Sequence, residues 1–135
     1  MLSSIAGDPV DADQPRRDFR QFLARGVVND REVVSFLSER GWTVIDPGRL
    51  SLARQIRLFA GARAVCGVHG AGLTNIVWCN PGCTVIELMA DNYLNGCFES
   101  ISACLELEHR HLIFPGDDKH QIQVALEALD AALPD

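Results

Sequence analysis

Strand-like and helix-like segments alternate along most of this 135-residue chain, and this alternation is what most constrains its fold. Short apolar runs end at turn-forming residues, and segments with apolar residues at helical spacing lie between them. We expect strands at 42–45, 64–68, 84–88 and 109–113, and helices at about 30–40, 51–60, 72–79, 95–106 and 119–132. This order predicts an α/β fold, a Rossmann-like three-layer sandwich in which helices cover both faces of a parallel sheet.

Two helices have recognisable N-terminal signals. Asn29 or Asp30 is the expected N-cap of the first helix, and Ser51 is the expected N-cap of the second. Asn, Asp and Ser are favoured there because their side-chain oxygens accept a hydrogen bond from an otherwise unpaired amide of the first turn.

Three glycines, Gly67, Gly70 and Gly72, join the second predicted strand to the next helix. Without Cβ atoms the chain can turn sharply and a ligand can approach the backbone. The first amides of a helix have no partner within it and carry a partial positive charge, which suits a phosphate or pyrophosphate. The spacing differs from the dinucleotide fingerprint G-x-G-x-x-G, so a tight turn without a ligand is the alternative. The flanking His69 and Asn75 favour binding.

The chain has a net charge of −6, with 47% hydrophobic and 22% charged residues. This composition is typical of a globular domain and argues against broad binding to nucleic acid or to a membrane surface. No apolar stretch approaches the ~20 residues that a membrane span needs. A secretory signal is not recognisable either. A local cationic pocket for a phosphorylated small molecule remains compatible with this charge.

Five cysteines and four histidines raise the question of a metal site. Cys79 and Cys83 flank a predicted turn, but no second pair completes a zinc set. His109 and His111 are two residues apart, which on a strand places both on the same side. We expect no metal site, with most cysteines packing as small hydrophobic residues. The odd number of cysteines fits a reducing compartment.

Five sequence blocks follow one another in the order and spacing found in glycosyltransferase family 61. They are residues 27–32, 41–47, 50–56, 67–75 and 81–88. The chain resembles this family over roughly residues 25–115. The resemblance implies a GT-B enzyme, in which two Rossmann-like domains face each other across a cleft. Such an enzyme would transfer the sugar with inversion of its anomeric configuration and would need no metal or other cofactor. This chain resembles its C-terminal half, which holds the nucleotide-sugar donor.

The resemblance also implies roles for individual residues. It assigns the donor diphosphate to the turn and to an arginine before the first block, that is, to His69, Gly70, Ala71, Gly72, Leu73, Thr74, Asn75 and Arg25. A bidentate guanidinium suits phosphate. Glu87, at the end of the next strand, resembles the acid expected near the donor ribose. No catalytic residue is identified.

Several alternatives stay open for these residues. His69 is expected to donate to phosphate, but it could also hydrogen-bond the local backbone or act as a general base. Glu87 could cap a neighbouring helix, and Asn75 could fasten the turn.

Residues 1–24 depart from the family pattern, because residues 15–23 do not form a clear strand pattern. We expect a poorly defined lead-in with a truncated or damaged first strand at 1–24, and the nucleotide-sugar-binding domain at 25–135. The expected partners are a UDP-sugar donor and a glycan or protein acceptor held by an N-terminal domain that this chain lacks. The isolated chain would then transfer nothing.

The alternative is a non-catalytic interaction module, or an incomplete remnant, derived from such an enzyme. The compartment is left open: cytoplasmic for a bacterial protein, Golgi or ER lumen for part of a longer eukaryotic one.

Overall fold

A five-stranded parallel sheet forms the centre of the protein. The computed structural model describes residues 19–23 and 26–134. The strands are β1 (Phe19–Leu23), β2 (Thr43–Val44), β3 (Ala62–Val68), β4 (Thr84–Ala90) and β5 (Glu108–Phe114). They lie in the order β2-β1-β3-β4-β5, and every neighbouring pair is parallel. The predicted α/β class with a parallel sheet is confirmed.

Helices cover both faces of this sheet. The α-helices are α1 (Asp30–Ser38), α2 (Leu52–Ala60), α3 (Cys97–Leu105) and α4 (Leu126–Ala132), and 3-10 helices form at Pro47–Arg49 and Ala71–Trp78. Buried residues of α1 and α4 share one apolar core with Ile86 and Leu88 of β4. Buried residues of α2, α3 and the second 3-10 helix share the other core with Val85. Successive side chains of a strand point to opposite faces, so β4 supplies both cores.

The N-terminal segment whose strand character the sequence leaves in doubt forms β1. It pairs with β2 on one side and with β3 on the other, and its register with β3 shifts between Phe19 and Arg20. The boundary between a lead-in and a domain near residue 24 remains a prediction. None of the described helices is both long and apolar enough to cross a membrane.

The two predicted helix caps have different outcomes. Ser51 caps α2, because its hydroxyl accepts a hydrogen bond from the amide of Arg54 at 3.2 Å. Asn29 makes no side-chain cap for α1. Its side-chain nitrogen donates to the carbonyl of Val124 at 2.9 Å, and its side-chain oxygen accepts from the amide of Val124 at 2.8 Å. Asn29 therefore joins the start of α1 to the C-terminal segment.

The last predicted helix, 119–132, is wrong in its first half, since α4 begins only at Leu126. The Asp117 carboxylate accepts hydrogen bonds from the amides of Lys119 at 2.8 Å and Gln121 at 2.9 Å, which closes a turn. Ile122 then forms bridges with both Val27 and Gly116. Ile122 and Val124 are buried two residues apart, which is the spacing of an extended segment and not of a helix face.

Candidate functional site

The glycine turn lies where the strand order of the sheet reverses. β1 and β3 are neighbours in the sheet, although β2 lies between them in the sequence. The chain therefore moves to one side of the sheet after β1 and to the other side after β3. Loops that leave two adjacent strands in opposite directions open a crevice, and ligands of doubly wound sheets bind in it. His69 directly follows β3, so the turn forms one wall of this crevice.

The turn continues into a 3-10 helix at Ala71–Trp78, where the sequence predicted an α-helix at about 72–79. Gly70 has an extended backbone, with φ 166° and ψ −178°, and its carbonyl accepts from the amide of Leu73 at 3.0 Å. Within the described residues, the amides of Gly70 and Gly72 donate to no other group. The open amides of the turn are therefore those before Leu73, whose own amide is used and whose side chain is fully buried.

The remaining predicted residues of the turn differ in exposure and bonding. Thr74 is exposed, whereas the side-chain nitrogen of Asn75 donates to the carbonyl of Gly72 at 3.2 Å. Asn75 therefore fastens the turn, which is one of the two roles predicted for it from the sequence. Arg25 lies outside the described residues.

A carboxylate on β4 holds the histidine of the turn. Nδ1 of His69 is 2.5 Å from Oε2 of Glu87, whose side chain is fully buried. The register places Glu87 opposite Gly67 on β3, so no side chain from that position stands between Glu87 and His69. Glu87 lies within β4 and not at its end, because β4 extends two residues beyond the predicted strand 84–88.

Two further histidines contact the same carboxylate from β5. Nε2 of His109 is 2.8 Å, and Nε2 of His111 is 3.3 Å, from Oε1 of Glu87. The register pairs Glu87 with His111, and His109 lies two residues earlier on the same face of the strand. We call Glu87, His69, His109 and His111 the histidine–glutamate cluster.

Helix α3 closes the cluster from above the sheet. The Oγ atom of Ser102, which is fully buried, lies 2.6 Å from Nδ1 of His109. The ring of Phe98 meets that of His69 edge-on at 4.8 Å between centroids. Oε2 of Glu99 is 3.6 Å from Nε2 of His111. The side chains of His69 and His109 are 8% and 6% exposed, whereas that of His111 is 29% exposed. Solvent therefore reaches the cluster mainly at His111.

The surroundings of Glu87 keep its carboxylate charged. Burial alone would raise its pKa, but the hydrogen bonds from His109 and His69 outweigh burial and lower the pKa of Glu87 below its ordinary value. An ionised carboxylate only accepts hydrogen bonds, so Nδ1 of His69 carries the proton that it shares with Glu87. Nε2 of His69 makes no hydrogen bond within the described part of the chain. This nitrogen remains for a ligand.

Glu87 and His69 are predicted from the sequence, but the contacts that join them to β5 are not. The expectation that His109 and His111 lie on the same side of a strand is confirmed, whereas the expectation of no metal site does not take Glu87 into account. Glu87, His109 and His111 form a group whose ligand atoms all lie within 4.8 Å of one another. The i, i+2 spacing of the two histidines was the available signal. The register between β4 and β5, which brings Glu87 to them, was not available.

Comparison with known proteins identifies a family that matches this chain. The sequence model described as Glycosyltransferase 61 matches residues 15–86, from the segment before β1 into β4. The matched range contains the whole glycine turn and ends one residue before Glu87, so the contacts of the cluster with β5 lie outside it.

Two curated plant proteins are similar to parts of the chain. Beta-1,2-xylosyltransferase RCN11 of Oryza sativa subsp. japonica is 34% identical over 67 residues, which are 50% of this chain and 13% of that protein. A beta-1,2-xylosyltransferase of Arabidopsis thaliana is 30% identical over 80 residues, which are 59% of this chain and 15% of that protein. The chain thus matches only a small part of the length of either relative.

Proposed function

The chain belongs to glycosyltransferase family 61, and from this premise we propose that it is the nucleotide-sugar-binding half of a transferase. One observation carries the proposal: the open amides of the glycine turn lie at the switch point of a parallel sheet, next to a histidine held by a buried carboxylate. Phosphates are favoured at such a position, because the amides point to the ligand and carry partial positive charge.

In this proposal the donor diphosphate binds the amides of Gly70, Ala71 and Gly72. The fixed hydrogen bonds of Leu73 and Asn75 support it, because they hold the turn in one shape before the ligand arrives. Preorganised donors of this kind stabilise the charge that develops on a departing nucleoside diphosphate. Arg25, which follows β1 by two residues in the sequence, is proposed to add a bidentate contact. Transfer would then need no metal at the diphosphate.

His69 is proposed to donate from Nε2 to a phosphate oxygen as the doubly protonated imidazolium, because Nδ1 already carries the proton that it shares with Glu87. The contact between Nδ1 and Glu87 supports this role, because it fixes the orientation of the ring and leaves the second nitrogen for the ligand. The same arrangement would suit a general base that takes a proton from the acceptor hydroxyl. Of these two roles, only binding of the diphosphate can be measured with the isolated chain, because that chain is not expected to transfer the sugar.

The contact of Glu87 with the donor ribose stays a prediction, and it would require the loss of an existing contact. Both of its oxygens already have histidine partners, so a ribose hydroxyl would have to displace one of them. His111 is the partner easiest to displace, since its contact is the longest at 3.3 Å and its ring is the most exposed.

The sugar and the remaining architecture are proposed by analogy with the relatives. Both matched relatives are named beta-1,2-xylosyltransferases, so UDP-xylose is the first donor to test. We propose that the complete enzyme is of GT-B type and that the acceptor, a glycan or a protein, binds a second domain. The isolated chain would then bind donor weakly without transferring the sugar.

Isothermal titration of the purified chain with UDP, UDP-xylose and uridine tests the proposal. We expect UDP and UDP-xylose to bind and uridine to bind much more weakly, because the diphosphate supplies the contacts with the turn. His69→Ala should weaken UDP binding about 10- to 100-fold, the loss expected for one hydrogen bond to a charged group.

Glycine variants provide a matched pair. Gly70→Ala places a methyl group on the wall of the crevice, while its extended backbone and a nearest contact of 3.8 Å leave the fold unstrained. Gly48→Ala, two strands away with a nearest contact of 3.5 Å, is the control. Gly70→Ala should abolish UDP binding and Gly48→Ala should retain it. If the folded chain does not bind UDP, or if both variants bind it normally, the proposal is wrong and the non-catalytic module is favoured.

A further inference from the structure

We propose that Glu87, His109 and His111 form a binding site for one divalent transition-metal ion of the Zn²⁺ class. The site is distinct from the diphosphate turn, since His109 and His111 belong to β5 and take no part in the proposed donor contacts, although Glu87 also contacts His69 of the turn. It lies on the sheet face covered by α3, with its ligands on two adjacent strands in register.

The distances suit a small ion. Oε1 of Glu87 is 2.8 Å from Nε2 of His109 and 3.3 Å from Nε2 of His111, and no pair of the three ligand atoms is more than 4.8 Å apart. Zinc binds nitrogen and oxygen ligands at about 2.0–2.2 Å in a tetrahedron, which places neighbouring ligand atoms about 3.4 Å apart. Small side-chain rotations therefore bring all three atoms to bonding distance around one point.

The ligand types select the kind of metal. Two imidazoles and one carboxylate form a set that holds zinc in enzymes with an open fourth position, and also divalent iron, cobalt or nickel. Magnesium and calcium prefer oxygen ligands alone. Glu99, whose carboxylate is 3.6 Å from Nε2 of His111, stands at the exposed side, where it can approach the ion as a further ligand.

Neighbouring groups already orient the ligands as metal sites require. Ser102 Oγ lies 2.6 Å from Nδ1 of His109, so Nδ1 can donate to the hydroxyl while Nε2 presents its lone pair to a metal. His69 holds the other carboxylate oxygen of Glu87 and leaves Oε1 for the ion. The 29% exposure of His111 provides a path by which an ion enters.

The same contacts would also satisfy a set of hydrogen bonds in which each histidine donates to Glu87. The two arrangements differ in the proton of each Nε2 atom, because a ligand nitrogen must be unprotonated. A metal titration separates them: a purely hydrogen-bonded cluster takes up no ion.

The experiment uses the full chain, treated with a chelator and then titrated with Zn²⁺ by calorimetry and with Co²⁺ by visible absorption. We expect one ion per chain and a Co²⁺ spectrum without thiolate charge transfer, because all ligands are nitrogen or oxygen. His111→Ala should weaken binding by at least about 100-fold, the upper end of what loss of an outer-shell partner alone causes. Ser102→Ala, which removes such a partner, should weaken it about 10-fold.

Two controls guard against other ligands. His120→Ala removes an exposed histidine that stacks on Tyr93 outside the site, and it should leave the affinity unchanged. A double variant of the exposed Cys97 and Cys104, each changed to Ser, should also bind normally. The proposal is overturned if no saturable binding occurs, if His111→Ala binds as the unaltered chain does, or if the cysteine variant loses the ion. UDP binding by His111→Ala is scored separately, so failure here leaves the donor-site proposal standing.

Discussion

The two faces of strand β4 show how one buried strand can serve two purposes. Ile86 and Leu88 point into the core formed with α1 and α4, where their neighbours are apolar. Glu87, between them in the sequence, points to the opposite face and meets three imidazoles. All three residues are fully buried, so burial alone does not distinguish them. The difference is that hydrocarbon packing stabilises the first face, whereas the second face is stable only because each polar atom of Glu87 has a partner.

This contrast separates stability from function. Burying an unpartnered carboxylate costs several kcal/mol, on the order of the stability of a small domain, so such a group persists only inside a satisfied network. The apolar face can be weakened without changing the chemistry of the crevice. The polar face cannot, because Glu87 holds the histidine of the glycine turn. Substitutions on the two faces should therefore have effects of different kinds.

The largest effect is expected from the apolar face. Ile86→Ala should reduce the free energy of unfolding by about 2–5 kcal/mol, because it removes buried methyl groups and leaves a cavity. Urea denaturation followed by circular dichroism measures this loss. UDP affinity of the fraction that stays folded should match that of the unaltered chain. A loss below about 1 kcal/mol would mean that this core repacks around the smaller side chain. The two faces of β4 would then differ less in their contribution to stability.

A smaller loss of stability, with a loss of function, is expected from the polar face. Glu87→Gln keeps the size of the side chain but replaces an acceptor-only group with an amide whose nitrogen faces imidazole N–H groups. We expect unfolding to become easier by about 1–3 kcal/mol, the range for a buried polar group that loses its partners. UDP binding should weaken in the same variant. Unchanged stability together with unchanged UDP binding would show that the cluster orients nothing.

The α/β class, the parallel sheet and the place of the glycine turn were all predictable, because they depend on local signals. Strand β4 shows a continuous apolar run, and the spacing of apolar residues marks α2. The extended segment around Ile122 was mistaken for a helix, because its partners, Val27 and Gly116, are distant in sequence and cannot be read from local periodicity.

The cluster was only half predictable for a similar reason. His69 is marked by the turn, and the spacing of His109 and His111 marks one face of a strand. Whether that face meets Glu87 depends on the register between β4 and β5. A shift of one residue would place both histidines on the opposite face of the sheet. Glu87 and His111 are 24 residues apart, with α3 between them, so the sequence alone does not determine this register.

The polar face should respond to acid in a way that the apolar face does not. The pKa of Glu87 is lower in the folded chain than its ordinary value of 4.5, so the unfolded chain binds the proton more readily. Its contribution to stability is therefore fully present above that value and is lost as the pH falls through 4.5 and then through the lowered pKa. The groups that face it are His69, His109 and His111, with Glu99 beyond His111.

Urea denaturation of chelated samples between pH 6 and pH 3 checks this. The stability difference between the unaltered chain and Glu87→Gln should shrink as the pH falls, whereas the difference for Ile86→Ala should stay constant. A difference for Glu87→Gln that stays constant or grows on acidification would show that Glu87 is not ionised in the folded chain.

The smallest effect is expected where the polar network ends, on helix α3. Ser102 is buried against His109, while Ser100 is exposed and its hydroxyl donates to the carbonyl of Gly96 at 3.1 Å. Ser102→Ala should reduce the free energy of unfolding by about 0.5–1.5 kcal/mol, the net value of one hydrogen bond. Ser100→Ala, the matched control, should change it by less than about 0.5 kcal/mol, as is usual at exposed positions. Equal effects of the two substitutions in chelated urea denaturation would place Ser102 outside the network, and the partnered polar face would then end at His109.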